Sequence, residues 1–145
     1  MIDYEWINKK LSTGLKLRFD IGLSFNMPNS TKWLRDDENV YVIGIEPHPN
    51  NFKSCCSHVE NSNAGDRCYL IEAAVSNVSE SGEQDFYGLS GDAGTSSLCR
   101  PIGRFENLVD MVYSVETVSL ASILDNLNYE RIDVLKTDTQ GNDLN

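Results

Sequence analysis

Seven consecutive residues constrain this chain more than anything else in it: Val40-Tyr41-Val42-Ile43-Gly44-Ile45-Glu46. Side chains alternate between the two faces of a strand. A run that stays apolar at every position before its final carboxylate therefore predicts a strand buried on both faces, the signature of a parallel sheet clad in helices. Pro47 and Pro49 stop the run, and Glu46 is left at its carboxyl end.

The rest of the chain supplies partners for such a strand. Leu15, Leu17, Phe19 and Ile21 alternate with polar residues and predict a strand over 15–20. Lys16 and Arg18 fit a doubly buried strand poorly, and such long side chains can snorkel at a rim. Further strands are expected over 68–74 and 132–138. Tyr4, Ile7 and Leu11 mark one face of a helix over Asp3 to Thr13, ended by Gly14. A second helix is expected over Thr31 to Asp36, N-capped by Asn29 or Ser30. A third runs from about Asn50 to Glu60 with Phe52, Cys55, Cys56 and Val59 inward. Ser119 caps a fourth, Leu120 to Leu127. Alternating helices and apolar strands predict an α/β fold with a mostly parallel sheet whose spacings allow right-handed crossovers, and the order 3-2-1-4 is expected of it.

The stretch 76–118 reads as a lid or hairpin insertion, with a strand signal at 84–87 and an alternating, edge-like strand over 111–120. The chain stops just after a core strand, so the fourth strand is expected to be a bare apolar edge. The 145 residues are accordingly read as one incomplete domain with its C-terminal strands missing, prone to self-association.

Composition narrows the function classes. Twelve Lys and Arg against 22 Asp and Glu give a net charge of −10, which disfavours nucleic-acid binding. No apolar stretch is long enough to span a membrane, and the N-terminus lacks a signal-peptide core, so a cytoplasmic location is expected. Cys55, Cys56, Cys68 and Cys99 lack zinc-ligand spacing and read as reduced thiols.

Three sites carry candidate chemistry. Asp20-Ile21-Gly22-Leu23-Ser24-Phe25-Asn26 follows the first strand, placing a turn where ligands bind in open α/β sheets. Gly22 lets a ligand approach the backbone, and Asn26 tolerates left-handed geometry. Glu46 lies 26 residues beyond Asp20, near the spacing of an acid that grips ribose hydroxyls. The third is Lys136-Thr137-Asp138-Thr139-Gln140-Gly141-Asn142-Asp143 at the end of the fourth strand. In a 3-2-1-4 sheet this brings Asp138 and Asp20 to one crevice. The absence of a G-x-G-x-x-G turn argues against a nicotinamide-dinucleotide site.

Together, FDIGLSFN, VIGIEPHPNNF, YLIEAAVSN, GTSSL, VETVSLASIL and VLKTDTQGNDL resemble the FkbM type of S-adenosylmethionine-dependent methyltransferase, over about Phe19 to Leu144. The resemblance implies a Rossmann-like methyltransferase fold. It also implies methyl transfer from S-adenosylmethionine to a hydroxyl of a sugar, lipid or small natural product. By position, Asp20, Gly22, Ser24 and Asn26 are implied at the methionine half of the cofactor and Glu46 at the ribose. Pro47 and His48 are implied at the turn past the adenosine, and Ala73 and Ala74 at the adenine. Asp138 is implied near the transferred methyl. The family turn reads Asp-x-Gly-Ala-x-x-Gly, where this chain has Leu23 and Asn26, and Gln140 stands where the family has Glu.

A hydroxyl acceptor gains from a proton acceptor or a metal. Asp138 and Lys136 are the expected catalytic pair, with His48 a further proton handler. Asp138 and Asp143 are a weak pair for Mg²⁺, and no metal is assigned. His58 reads as a surface helix residue, and Gly91 to Leu98 as a segment able to close over the acceptor. The alternative from another class is a non-catalytic, truncated module that binds nucleoside or serves assembly.

Overall fold

The computed structural model describes residues 1–77, 82–89 and 96–140. Its main sheet is built around β2 (Val40–Ile45), in which every residue is buried, as the apolar run dictates. On one side lies β3 (Cys68–Ile71); on the other come β1 (Lys16–Ile21) and then β7 (Val134–Thr137), all parallel, in the order β3-β2-β1-β7. This is the 3-2-1-4 arrangement expected from the sequence. Phe19 stands opposite Ile43 and Leu135, and Asp20 opposite Gly44 and Lys136.

Each face has its own helices. α1 (Tyr4–Leu11) and α4 (Leu120–Asp125) bring Ile7, Leu11 and Ile123 onto Leu17, Phe19, Ile21, Tyr41, Ile43 and Ile45. α2 (Pro28–Asp36) and α3 (Pro49–Glu60) cover the other face, with Leu34 and Cys55 packed among Val40, Val42 and Cys68. Lys16 and Arg18 point to this second face and resolve their misfit at its rim. Lys16 is exposed and pairs with Asp37 at 2.9 Å, while Arg18 lies over the Trp33 ring at 5.4 Å.

Several boundaries differ from the sequence reading. The third strand does not run on to 74. It ends at Ile71, and β4 (Ala74–Val75) leaves to pair with β6 (Val109–Val118) in a second sheet. β5 (Glu83–Leu89) runs antiparallel to β6, so β6 is the central strand of the order β4-β6-β5 rather than an edge. α2 begins at Pro28, not Thr31, and neither Asn29 nor Ser30 caps it. Met27 occupies the cap with φ 43° and no side-chain bond. α3 turns Asn51 and Cys55 fully inward, while Phe52 and Cys56 are only half-buried. α4 ends at Asp125, and Ser119 does cap it, accepting a bond from the Ser122 amide. β7 is shorter than expected and leaves Leu135 exposed. Among the described residues no helix is long and apolar enough to cross a membrane.

Candidate functional site

The carboxyl ends of β1, β2 and β7 converge, and the turn leaving each strand brings one part of the site. At the end of β1, Asp20 is completely buried. Its Oδ2 accepts from the Ser30 backbone amide at 3.1 Å and from the Ser30 hydroxyl. The carboxylate thus caps α2 from outside, where a negative charge meets the positive end of the helix. Its Oδ1 faces Lys136 Nζ at 3.1 Å. The Lys136 ammonium also donates to the carbonyls of Ile21 and Gly22. Beyond Asp20 the chain turns sharply, with Gly22 at φ 79° and Ser24 at φ 61°. Only glycine fits at 22, because a Cβ there would collide with the Asp138 carbonyl oxygen.

At the end of β2, Glu46 is 4% exposed. Oε2 accepts from the Ser24 amide at 2.9 Å and Oε1 from the His48 amide at 3.0 Å. Burial holds its carboxyl above the ordinary range, partly offset by those amides and by the Asn51 side chain. The His48 ring caps α3 through an acceptor bond from the Asn50 amide and packs against Tyr113 and Phe86 of the second sheet. Burial lowers the His48 pKa, so its ring stays neutral and able to accept that bond. Cys55 lies beneath the turn, its thiol donating to the Ser24 carbonyl, and burial raises its pKa to about 12.

A cavity opens above these strand ends. Gly22, Ser24, Glu46, Pro47, Ala73, Ala74, Asp138 and Gln140 line it, and all but Gln140 are among the site residues expected from the sequence. Three other expected site residues do not line it. Asp20 lies beneath the turn, Asn26 is exposed beside it, and Lys136 faces Asp20 instead. The reason is strand pleat. Asp20 and Lys136 are register partners on the α2 face, so their side chains meet each other below the cavity. Asp138 is exposed and accepts from the Gln140 side-chain amide at 2.9 Å. His58 is exposed and hydrogen-bonds Thr31. Asp143 and residues 91–95 lie outside the described residues.

Sequence reasoning missed Asn51 and Phe86, which also line the cavity, as do Ser96 and Leu98 of the segment expected to close over the acceptor. Phe86 could have been sought as a large apolar residue of the Ser- and Gly-rich insertion. Asn51 and Cys55, four apart, would have marked the inner face of α3 had the polar residue been allowed inside. The insertion closes on the site through Ser97, whose hydroxyl donates to the Gln140 carbonyl at 2.9 Å.

Among the described residues, the wall of this cavity is acidic. Two carboxylates, Glu46 and Asp138, are among its lining residues, and no Lys or Arg is. Such a wall suits a cationic ligand and repels a pyrophosphate. Ala73, Ala74, Val75, Phe86 and Leu98 give an apolar slot of small and flat groups beside Glu46. A sulfonium nucleoside has both features, so the residues present fit S-adenosylmethionine. A family model, the methyltransferase FkbM domain, matches residues 18–145. No curated protein matches the chain, and no solved structure matches it.

Proposed function

The chain belongs to the FkbM methyltransferase family, with a Rossmann-like methyltransferase fold, and from that premise we propose that its cavity binds S-adenosylmethionine for transfer of the methyl group to a hydroxyl. The observation that carries this is Glu46. It is a buried carboxylate with no counter-charge among its close hydrogen-bond partners, at the lip of an apolar slot. Two amides and the Asn51 side chain hold its oxygens, and a carboxylate has roughly four acceptor sites, so acceptor capacity remains for a ribose hydroxyl, and for its neighbour if Asn51 yields its place. The Ala73, Ala74, Phe86 and Leu98 walls take the flat base, and the two carboxylates of the lining favour the cationic end.

Bound there, the cofactor supplies an activated methyl group. The protein's part is orientation, which in well-ordered sites is worth up to ~7–11 kcal/mol. Asp138 stands exposed at the mouth, its carboxylate oriented by the Gln140 amide. In this reading it takes the proton that the acceptor hydroxyl gives up. Lys136 has no such role, because its ammonium is engaged below the cavity. The acceptor is a small molecule or glycan bearing a hydroxyl, admitted beside the segment 96–98.

Calorimetry with S-adenosylhomocysteine tests the reading. Glu46→Ala should weaken binding at least tenfold, since charge-assisted bonds are worth about 1.5–3 kcal/mol each. Equal binding by both proteins would remove Glu46 from the ribose site. Binding of NAD in preference would replace the methyl-donor reading with a dinucleotide one.

A further inference from the structure

Lys136 is the cation that the proposed chemistry leaves unused, yet it stands among the most constrained groups of the molecule. Its side chain is 23% exposed and meets Asp20 Oδ1 at 3.1 Å, the Ile21 carbonyl at 3.4 Å and the Gly22 carbonyl. An ammonium has three N–H donors and no acceptor. Its two hydrogen bonds go to consecutive carbonyls of the turn that leaves β1, and Asp20 Oδ1 faces it as an ion pair without a hydrogen bond. We infer that Lys136 is a positioning residue that locks the turn 22–24 to the exit turn 138–140, so that the two move as one body.

Three further contacts act in the same direction. The Asp138 amide donates to the Ile21 carbonyl at 3.0 Å. Gly22 is pressed so closely on the Asp138 carbonyl that no side chain can stand between them. The Ser24 amide is held by Glu46 at 2.9 Å. A trans peptide directs its C=O and the following N–H oppositely. Anchoring the Gly22 carbonyl on Lys136 thus fixes the Gly22–Leu23 plane and turns the Leu23 amide away from the ammonium. The conformation so fixed, with positive φ at both Gly22 and Ser24, is one the chain would not hold unaided. Asp20 supplies the counter-charge that lets an ammonium sit at this depth, and Ser30 supplies the remaining bonds to Asp20.

The inference rests on the donor-pocket reading only for its binding arm, and its test has an arm that needs no ligand. Lys136→Met alone leaves Asp20 buried and unpaired and lowers the melting temperature for that reason. The double variant Asp20→Asn/Lys136→Met removes both charges, and so separates charge burial from the grip on the turn. Amide exchange by NMR is compared at Ser24 and at Ile43 in the middle of β2. Expected is exchange at Ser24 at least tenfold faster than in the unaltered protein, with Ile43 little changed. S-adenosylhomocysteine affinity should fall by a similar factor, even though the melting temperature recovers relative to Lys136→Met.

Equal acceleration at Ser24 and Ile43, or protection and affinity both restored, would make Lys136 merely a counter-ion and overturn the inference. If the double variant does not fold, Lys136→Arg decides. Its guanidinium keeps the charge for Asp20, but a flat fork does not converge on two neighbouring carbonyls as an ammonium does. The same selective loosening at Ser24 is then expected, and unchanged exchange there overturns the inference. Should the unaltered protein bind no S-adenosylhomocysteine, the donor reading falls while the exchange arm still decides the role of Lys136.

Discussion

Two carboxylates stand at the ends of adjacent strands, 0% and 4% exposed, and their surroundings are opposite. Asp20, at the end of β1, is given a lysine, a hydroxyl and the amide end of a helix. Glu46, just past the end of β2, is given two amides and an amide side chain, and its remaining face opens on a cavity. Burying an ion is costly, and the cost is met at Asp20 by a lysine in direct contact and at Glu46 chiefly by hydrogen bonds, with Lys136 acting only from a distance. The difference teaches where to look for ligand binding. A buried acid paired with a lysine is part of the frame, and one without a cation in direct contact is ready for a cationic or hydroxyl-bearing guest.

The comparison can be broken hardest at the residue between the two acids. Gly22→Ala should be the most damaging single change, because the left-handed backbone costs about 1–2 kcal/mol for a residue with a Cβ. The collision with the Asp138 carbonyl adds to that. Loss of S-adenosylhomocysteine binding together with a clearly lowered melting temperature is expected. Near-native values of both would show that the two turns are not in fixed contact.

Asp20→Asn should come next, and should act on stability. Removing one partner of a buried pair costs about 3–5 kcal/mol, and the partial exposure of Lys136 puts this case at or below the lower end. Glu46→Gln should do the reverse, changing the unfolding midpoint little while weakening ligand binding about tenfold or more. Denaturant unfolding of both variants beside calorimetry reads the contrast. Equal loss of stability in the two would erase the distinction between frame and guest site.

The smallest effect is in pH dependence, and it sharpens the contrast. The carboxyl of Glu46 titrates above the ordinary 4.5 in the folded protein. A raised folded value means that its contribution to stability is present at low pH and lost as pH rises through that value. The melting temperature of Glu46→Gln relative to the unaltered protein should therefore increase as pH climbs from about 4.5 and then level off. Ligand affinity should run the other way, falling in acid as the carboxylate is protonated. His48, lowered below 6.5 by burial, loses its stabilising contribution as pH falls through its folded value. His48→Gln measured in parallel separates the two.

Much of the site is legible in the amino-acid order alone. Gly22, Glu46 and Asp138 follow from turns at the ends of strands, where α/β sheets bind ligands, and Ala73 and Ala74 come from the family resemblance. What misleads is residue type without direction. Asp20 and Lys136 have the chemistry of a site, but strand pleat sends both to the α2 face, where they neutralise each other. Ser30 looks like an N-cap, yet it serves Asp20 from inside the helix. Asn51 and Phe86 are hidden for a different reason. They reach the cavity only through the packing of α3 and of the β4-β6-β5 sheet against the strand ends, contacts between segments far apart in sequence.

The sequence by itself determined the α/β class, the approximate places of the core strands and the positions of the three turns. Those depend on hydrophobic periodicity and on residues that permit or forbid local backbone shapes, both of which are properties of short segments. Only the tertiary structure decided which buried acid is paired and which is left open. Whether a carboxylate meets a lysine is set by the register between β1 and β7, strands more than 100 residues apart, and no local pattern encodes a distance across the fold.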